Sequence, residues 1–475
     1  MTRVRFAPSP TGELHLGNIR TALFNYLFAK HQQGVCVLRI EDTDKERSTQ
    51  NFEDSIYTDL AWLGIEFEES PRAGGAHGPY RQSERSSLYR EYLEKLQAQG
   101  KVYPCYCTHD ELEAEKIKAL NASKTPKYSG KCRQLTPEQK EQLLSEGRKP
   151  SIRFHLTPQV IKFHDLVYGD KSFDTNSMGD FVIFRSNGDP VYLFASALDD
   201  YLMKITHVIR GEDGMSNTPR QIALFQAWGV EVPQYGHLPL ILGPDRQLLS
   251  KRHGSTSVAA LKQEGYLKEA VVNYVTLLGW APEDAQEIMT LSEMTQKFNL
   301  SRVGRSSAIF DFEKMKHLNK HYLDQLSPEQ FCEAIKSHLQ AKLGELPDNA
   351  LEVALASRHN GRTLAEITHV VAIILQRPQA FPEELKNILI TPEAKKVLLA
   401  YKQVIETIDS PFGDESYAQT IEKVKAATKA KGKGLFMPFR IALTGASEGP
   451  ELANLFKLFP KTEILQRLDN ATLPL

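Results

Sequence analysis

The sequence is poor in cysteine, short of long apolar runs and almost without net charge, and each shortage removes a class of protein. Five cysteines in 475 residues (Cys36, Cys105, Cys107, Cys132 and Cys332) are too few, and odd in number, for a disulfide framework. No uninterrupted apolar stretch approaches the roughly 20 residues that span a bilayer, so no membrane association is expected. The first residues carry Arg3 and Arg5 inside a strand pattern and do not read as a signal peptide. A cytoplasmic location is the expectation. A formal charge of −1 gives no global attraction for a polyanion, so any nucleic-acid binding has to rest on local patches. No internal repeat or low-complexity tract stands out. The 41% of hydrophobic and 25% of charged residues are ordinary, and suit a soluble globular chain of about three domains at roughly 150 residues each.

What is present is a strand, a Gly-containing turn and a helix start in that order. Strand-like residues 4–7 lead through Pro8-Ser9-Pro10-Thr11-Gly12-Glu13-Leu14-His15-Leu16-Gly17-Asn18 into a helix-like run at 19–29. Gly lets a backbone come close, and the first amides of a helix offer unpaired donors and a positive dipole end to a phosphate. Strand-like 35–40 and helical 52–63, ending at Gly64, continue a βαβ unit with a parallel sheet. From 82 to 190 the pattern changes to polar helices (84–99, 108–120, 136–146) and short alternating strands (152–156, 181–185), which reads as an insertion. The parallel-sheet pattern returns with helical 193–203, strand 206–210, helical 219–228 and the apolar run 238–242. A loop rich in Gly, Pro and Asp then carries Leu248-Leu249-Ser250-Lys251-Arg252, from which a mobile Lys can reach the same phosphates. After residue 255 helical periodicity dominates, with breaks near Gly304, Pro347, Gly361, Pro382 and Pro411.

A lone His-x-Gly at a helix start is more often a turn than a catalytic site; agreement among distant segments changes the balance. Arg39-Ile40-Glu41-Asp42-Thr43-Asp44 puts charges at a strand end, where an open α/β sheet keeps its ligand crevice, although a solvated strand exit would look the same. Arg210-Gly211-Glu212-Asp213 ends another such strand, and Asn217-Thr218-Pro219-Arg220 follows as a helix cap. Charges of both signs at two strand ends suit a zwitterion.

These segments, with Tyr80-Arg81-Gln82-Ser83-Glu84-Arg85, stand in the order found in glutamyl-tRNA synthetases, and the stretch from Gly434 to Gly445 resembles that family's C-terminal domain. The resemblance spans the whole chain. It implies an α/β fold: a Rossmann-like parallel-sheet catalytic domain in two halves, 1–81 and 191–255, around an α+β acceptor-stem-binding insertion at 82–190. A helical stem-contact region at 256–322 and all-α anticodon-binding domains at 323–475 would follow. The implied enzyme is a class I ligase that activates glutamate with ATP and magnesium and charges tRNA(Glu), with tRNA(Gln) left open as a second acceptor, and it is expected to be a monomer.

The same resemblance assigns residues. His15 and Lys251 would act on the phosphates, with Gly17, Asn18, Asp213, Leu249 and Ser250 holding ATP. A carboxylate nucleophile needs neither an activated Ser or Cys nor a general base, only positioning and positive or hydrogen-bonding groups. Arg5 would grip the γ-carboxylate with two parallel bonds, which favours glutamate over glutamine. Arg210 would be the second cation and Glu41 the partner of the ammonium, with Ala7, Ser9, Tyr192 and Ser196 lining the pocket. The bland reading of Arg5 is a surface strand residue. Three positions depart from the family pattern: Asn18 stands where His is usual, Leu248-Leu249 opens the Lys loop where Lys or Met is common, and Ser196 replaces an Asn of some members.

Cys105, Cys107, Tyr128 and Cys132 resemble the zinc-binding insertion of some members, although Gln134 stands where a His is expected. A structural zinc ion and three reduced thiols are both open readings. Lys423, Lys425, Lys429, Lys431 and Lys433 run without an acid after Glu422, which marks either a solvated face or an RNA contact. The segment 301–311, with Arg302 and Arg305, is expected to join the catalytic body to the helical region. Among competitors, a nucleotidyltransferase or an enzyme glutamylating a tRNA base would not need the long helical C-terminus, and a glutaminyl relative would carry a mostly β module there. A non-catalytic tRNA-binding paralogue is disfavoured by the retention of His15 and Lys251.

Overall fold

In the first strand, β1 (Arg3–Phe6), all four residues are buried, the two arginines with the two apolar side chains, so its charges must be neutralised inside the protein. The helix that follows, α1 (Leu16–His31), is apolar on nearly every side and buries Leu16, Ile19, Leu23, Phe24 and Leu27, as a helix packed within a core requires. It begins three residues earlier than its apolar run because His15 caps it. β2 (Val35–Leu38) returns parallel to β1, with Arg5 opposite Val37. The computed structural model describes residues 1–44, 47–254, 256–378, 380–408 and 412–472, the side chain of Lys251 excepted.

The chain continues through α2 (Gln50–Trp62), α3 (Ser86–Ala98), β3 (Val102–Cys105), α4 (His109–Asn121), α5 (Pro137–Ser145), β4 (Ser151–Phe154), β5 (Val160–Asp165), β6 (Gly169–Asp174) and β7 (Phe181–Phe184). It then forms α6 (Tyr192–Leu202), β8 (His207–Gly211), α7 (Thr218–Trp228), β9 (Gln234–Leu238), β10 (Ile241–Leu242) and, after further helices, β11 (Ala308–Ile309). β3, β4 and β7 make a separate antiparallel sheet. The β5–β6 hairpin has no counterpart in the sequence reading: Ile161 and Phe163 share one face of β5, but β6 carries a single large apolar side chain, Phe173, and so shows no strand-like alternation. Its first strand leaves the inserted sheet and joins β9 through Asp165 opposite Tyr235.

β8 and β9 run parallel across α7, giving the strand order β6-β5-β9-β8. Thr206 N donates to Arg3 O at 2.9 Å, which sets β8 beside β1. From β1 the chain turns one way, through α1 to β2; from β8 it turns the other way, through α7 to β9. The gap between their carboxyl ends is therefore the switch point at which open α/β sheets keep a ligand crevice. Phe194, Leu198, Val208 and Phe225 pack α6 and α7 on the sheet, each fully buried aromatic or leucine contributing roughly 1.5–3 kcal/mol.

The chain divides into two compact units, 1–259 with 272–311, and 260–271 with 312–475. In the first, β10 and β11 pair in parallel, and Arg302 and Arg305 donate to Ala281 O at 2.9 Å and to Val167 O at 3.0 Å, so the 301–311 segment folds onto that unit. The second is helical throughout its described elements. Its helix Pro328–Leu343 starts on a reciprocal cap between Ser327 and Gln330, and Tyr401 stacks on Phe439 at 4.0 Å in its core. No described helix is long and apolar enough to cross a membrane.

Candidate active site

A cavity of about 700 Å³ opens beyond the carboxyl ends of β1 and β8 and is lined by Arg5, Ala7, Ser9, His15, Gly17, Asn18, Glu41, Tyr192, Arg210, Asp213 and Leu249. Ser196 and Ser250 are not among its lining residues.

At the α1 end, His15 Nδ1 accepts the Gly17 N–H at 3.2 Å while Asn18 Oδ1 accepts the His15 N–H at 3.3 Å. This capping box satisfies two orphan helix donors. It also settles chemistry: a ring whose Nδ1 accepts carries its proton on Nε2, which is left as a donor for the cleft. The walls around the imidazole remove solvation and lower its pKa, more than Asp213 raises it, so the ring is neutral at neutral pH. A methyl group at Gly17 would stand 3.0 Å from His15 Cε1, tighter than an ordinary contact, so the ring would have to shift by a few tenths of an ångström to admit it. Asn18, the departure from the family pattern, does the capping that a side-chain amide can do.

The opposing loop is a tight turn. Gly243 N donates to Gln247 O at 2.8 Å, Arg246 has φ 61°, and Arg252 reaches Asp245 at 3.3 Å. Ser250 N donates to His253 Nδ1 at 3.1 Å, and Lys251 begins a single helical turn. The Lys251 side chain, to which catalysis is assigned from the sequence, lies outside the described residues.

At the other end the charges are buried and interlocked. Asp200, on α6, accepts from Arg5 Nε at 3.0 Å and from Arg39 Nη1 at 2.7 Å with one oxygen. Arg39, fully buried, also donates to Glu41 at 2.8 Å and to Ser196 at 3.2 Å. So Arg39 is no solvated strand exit and Arg5 no surface residue, and Ser196 stands behind the pocket, holding Arg39. Burial raises the Glu41 pKa against the pull of Arg39 and Arg5, while the two arginines hold Asp200 low despite its burial. Arg5 has one further, long bond, to Ile209 O at 3.4 Å, and its Nη2 has no partner among the described residues. Arg210 spends Nη2 on Gly214 O at 3.0 Å and Thr218 at 2.9 Å, while its Nη1 is buried without a hydrogen bond. A methyl at Gly214 would meet Arg210 Nε at 2.5 Å, so glycine is required for that fold-back. Two guanidiniums with open ends at neighbouring strand termini are set to receive carboxylates.

The third sequence motif is structural. Arg85 and Gln82 bond Asp199 at 2.6 and 2.9 Å, Arg81 bonds Glu53 at 2.8 Å, and Ser83 N bonds Asp42 at 2.8 Å, clamping α6 and the Glu41–Asp42 loop that walls the cleft. Sequence reasoning missed Asp200, and also Asp165 and His237 behind Arg210. An acid at the end of a half-apolar helix and a His in a strand carry no local signal.

Away from the cleft, Cys105, Cys107 and Cys132 bring their sulfurs within 4.8 Å of one another, with Tyr128 Oη 3.5 Å from Cys105 and 3.6 Å from Cys107. Tetrahedral zinc with ~2.3 Å sulfur bonds needs sulfurs about 3.8 Å apart, and the Cys107–Cys132 distance of 3.5 Å is close to it. Burial raises the Cys105 thiol, but Tyr128 and Arg153 outweigh it and bring the pKa down to about 7. Three sulfurs and one phenol oxygen fit a tetrahedral ion; Gln134 is exposed and takes no part. In the second unit the five lysines from Lys423 to Lys433 are all exposed, and among the described residues only Lys425 of the five is ion-paired, to Glu422 at 3.2 Å. Arg358 is buried, donates to Leu326 O at 2.8 Å and also to Leu323 O, and so is committed to helix ends.

Residues 1–317 match the family described as tRNA synthetases class I (E and Q), catalytic domain, and residues 315–472 an anticodon binding domain. The chain is 44% identical over 478 residues to the glutamate–tRNA ligase of Bacillus subtilis, covering 98% of this chain and 99% of the relative. It is 44% identical over 477 residues to glutamate–tRNA ligase 1 of Thermoanaerobacter pseudethanolicus, covering 99% and 98%. Among solved structures, a glutamate tRNA ligase from Elizabethkingia meningosepticum in complex with its amino acid superposes with a TM-score of 0.85 at 34% identity, covering 99% of both chains. A family model that takes in most of the first unit, and relatives alike from end to end, mean that this chain belongs to the class I tRNA synthetases of the E and Q group.

Proposed function

We infer that the protein is a glutamate–tRNA ligase, which converts L-glutamate and ATP to glutamyl-adenylate and transfers the glutamyl group to the 3′-terminal ribose of tRNA(Glu). The observation that carries this reading is the pair Arg5 and Arg210, each anchored by buried partners with an end group left unbonded, in the cleft that also holds His15.

In the first step a carboxylate oxygen of glutamate attacks the α-phosphorus of ATP and the bond to pyrophosphate breaks. In the second a ribose hydroxyl of tRNA attacks the acyl carbon, the acyl–phosphate bond breaks, and AMP leaves. Neither step needs a protein nucleophile. His15 donates from Nε2 to a phosphoryl oxygen, and Lys251, with Ser250 and Leu249 in its loop, neutralises charge as it builds there. Gly17 and Asn18 let adenosine approach α1, and Asp213 borders the same end. Arg5 and Arg210 take the carboxylates, Glu41 the ammonium; Ala7, Ser9 and Tyr192 line the pocket, and Ser196 acts through Arg39. Magnesium comes with the phosphates of ATP, as its reluctance to shed water favours, rather than with a protein cage of its own.

Residues 1–81 and 191–255 make the catalytic domain in this reading, 82–190 receive the acceptor stem, 256–322 contact the stem and 323–475 bind the anticodon. The exposed lysines support RNA contact in that last region. Cys105, Cys107, Cys132 and Tyr128 hold a structural zinc ion, which ties the insertion together and supplies no catalysis. A monomeric, cytoplasmic enzyme completes this reading. Charging radiolabelled glutamate onto separated tRNAs tests the reading: product on tRNA(Glu) supports it, product also on tRNA(Gln) broadens the acceptor, and product on neither contradicts it.

A further inference from the structure

His237, in β9, is fully buried, and its ring is held from both sides. Nδ1 lies 2.6 Å from Asp165 Oδ2, and Nε2 accepts from Arg210 Nε at 3.3 Å, with the Thr218 hydroxyl 3.1 Å away. Asp165, also fully buried, takes backbone N–H groups from Val167 at 3.0 Å and Tyr168 at 2.8 Å on its other oxygen. A carboxylate so saturated stays ionised and can only accept. It therefore fixes the proton on His237 Nδ1 and leaves the Nε2 lone pair facing Arg210.

The guanidinium has five N–H directions in one plane. His237 takes the one on Nε, Gly214 O and Thr218 take those on Nη2, and both that remain are on the unbonded Nη1. Fixing Nε fixes the plane, and with it the direction in which Nη1 is presented. We propose that Asp165 and His237 are positioning residues for the amino-acid substrate: the acid sets the imidazole tautomer, and the imidazole aims Arg210 at a substrate carboxylate. The proposal rests on the reading of Arg210 as a substrate contact. Asp165 comes from β5, inside the 82–190 segment, so one buried carboxylate of the insertion reaches into the amino-acid pocket through two side chains.

Two replacements separate orientation from packing. His237→Gln can place an amide oxygen where Nε2 accepts, whereas His237→Asn can keep a donor towards Asp165 but offers nothing to Arg210. In aminoacylation assays with the full chain and tRNA, the Asn variant is expected to raise the KM for glutamate on the order of tenfold, with the KM for ATP moved less than about twofold. The Gln variant is expected to stay within about threefold of wild type in both. Equal effects of the two variants, a more active Asn variant, or a KM for ATP that rises in step overturns the proposal, because each is what a packing role would give. If the Asn variant melts too low to assay, the Gln variant decides alone: a retained KM supports the proposal and a tenfold rise overturns it. Arg210→Ala runs alongside. If it leaves the KM for glutamate unmoved, the pocket reading fails and takes the proposal with it; if it raises that KM and His237→Asn does not, only the proposal fails.

Discussion

The two ends of the cleft are built on opposite principles. At the Arg5 and Arg210 end every charge is buried and answered by another buried group: Asp200 by two guanidiniums, Arg39 by two carboxylates, Arg210 by a histidine that an aspartate holds. At the α1 end the groups are a helix cap and a tight loop, exposed to the cleft and held mainly by backbone hydrogen bonds. On the proposed function the contrast follows from the work. Recognising a small zwitterion with a carboxylate side chain needs fixed charges in a low dielectric, where a misplaced partner is costly. Stabilising charge that moves over a triphosphate needs donors that can follow it.

Substitutions at the buried end should therefore cost stability as well as affinity, and those at the exposed end should cost rate alone. Asp200→Ala leaves two buried guanidiniums short of a partner and is expected to lower the unfolding free energy by about 3–5 kcal/mol, measured by denaturant titration. A loss under 1 kcal/mol would show that the network is not acting as a unit. Lys251→Ala is expected to slow glutamyl-adenylate formation by roughly 10²–10³-fold, on the scale of losing one transition-state donor, while the melting temperature holds. An undiminished rate removes that side chain from the mechanism.

Acid should sharpen the same division. Burial lowers the pKa of His237, helped by Arg210 and Arg5 and opposed by Asp165; burial alone lowers His207. The unfolded chain then binds protons that the native state refuses, so stability falls as pH drops below about 6.5, by at most ~1.4 kcal/mol per pH unit for each such histidine. Asp200 and Asp165, whose pKa values are lowered, lose their contributions further down, as pH falls through the carboxylate range. Melting curves between pH 7.5 and pH 5.5, as assay conditions of roughly one unit either side of a free histidine, should show the decline, and His237→Gln should reduce it.

The Cys105 cluster and the lysine run give the smaller effects. Removing zinc by chelation, or Cys105→Ser, should release one ion and lower the melting temperature by several degrees, with the KM for glutamate little moved. Metal analysis that finds none contradicts the ion. Replacing Lys429 and Lys431 by Ala should weaken tRNA binding a few-fold and flatten its salt dependence by about one unit for each phosphate that is no longer neutralised.

Local features were legible in the sequence and distant ones were not. The strand, turn and helix start at His15 carry their own signature, and the helical character of the second unit is plain from its periodicity. The short strands were harder: β5 has Ile161 and Phe163 on one face, but β6 has only Phe173, so the hairpin leaves no paired pattern. The buried network was hidden for another reason. Arg5 and Asp200 lie 195 residues apart, Asp165 and His237 72 apart, and no spacing rule links such pairs until a sheet brings them together. Ser196 shows the limit from the other side: the resemblance brings it to the pocket's neighbourhood, and the fold turns its hydroxyl to Arg39.

The most direct measurement is the ratio of kcat/KM for glutamate over glutamine in the wild type and in Arg5→Ala. Strong preference for glutamate is expected in the wild type, and a collapse of that preference, by at least about 100-fold, when the guanidinium is removed. A variant that discriminates as well as the wild type would mean that the side-chain carboxylate is recognised elsewhere.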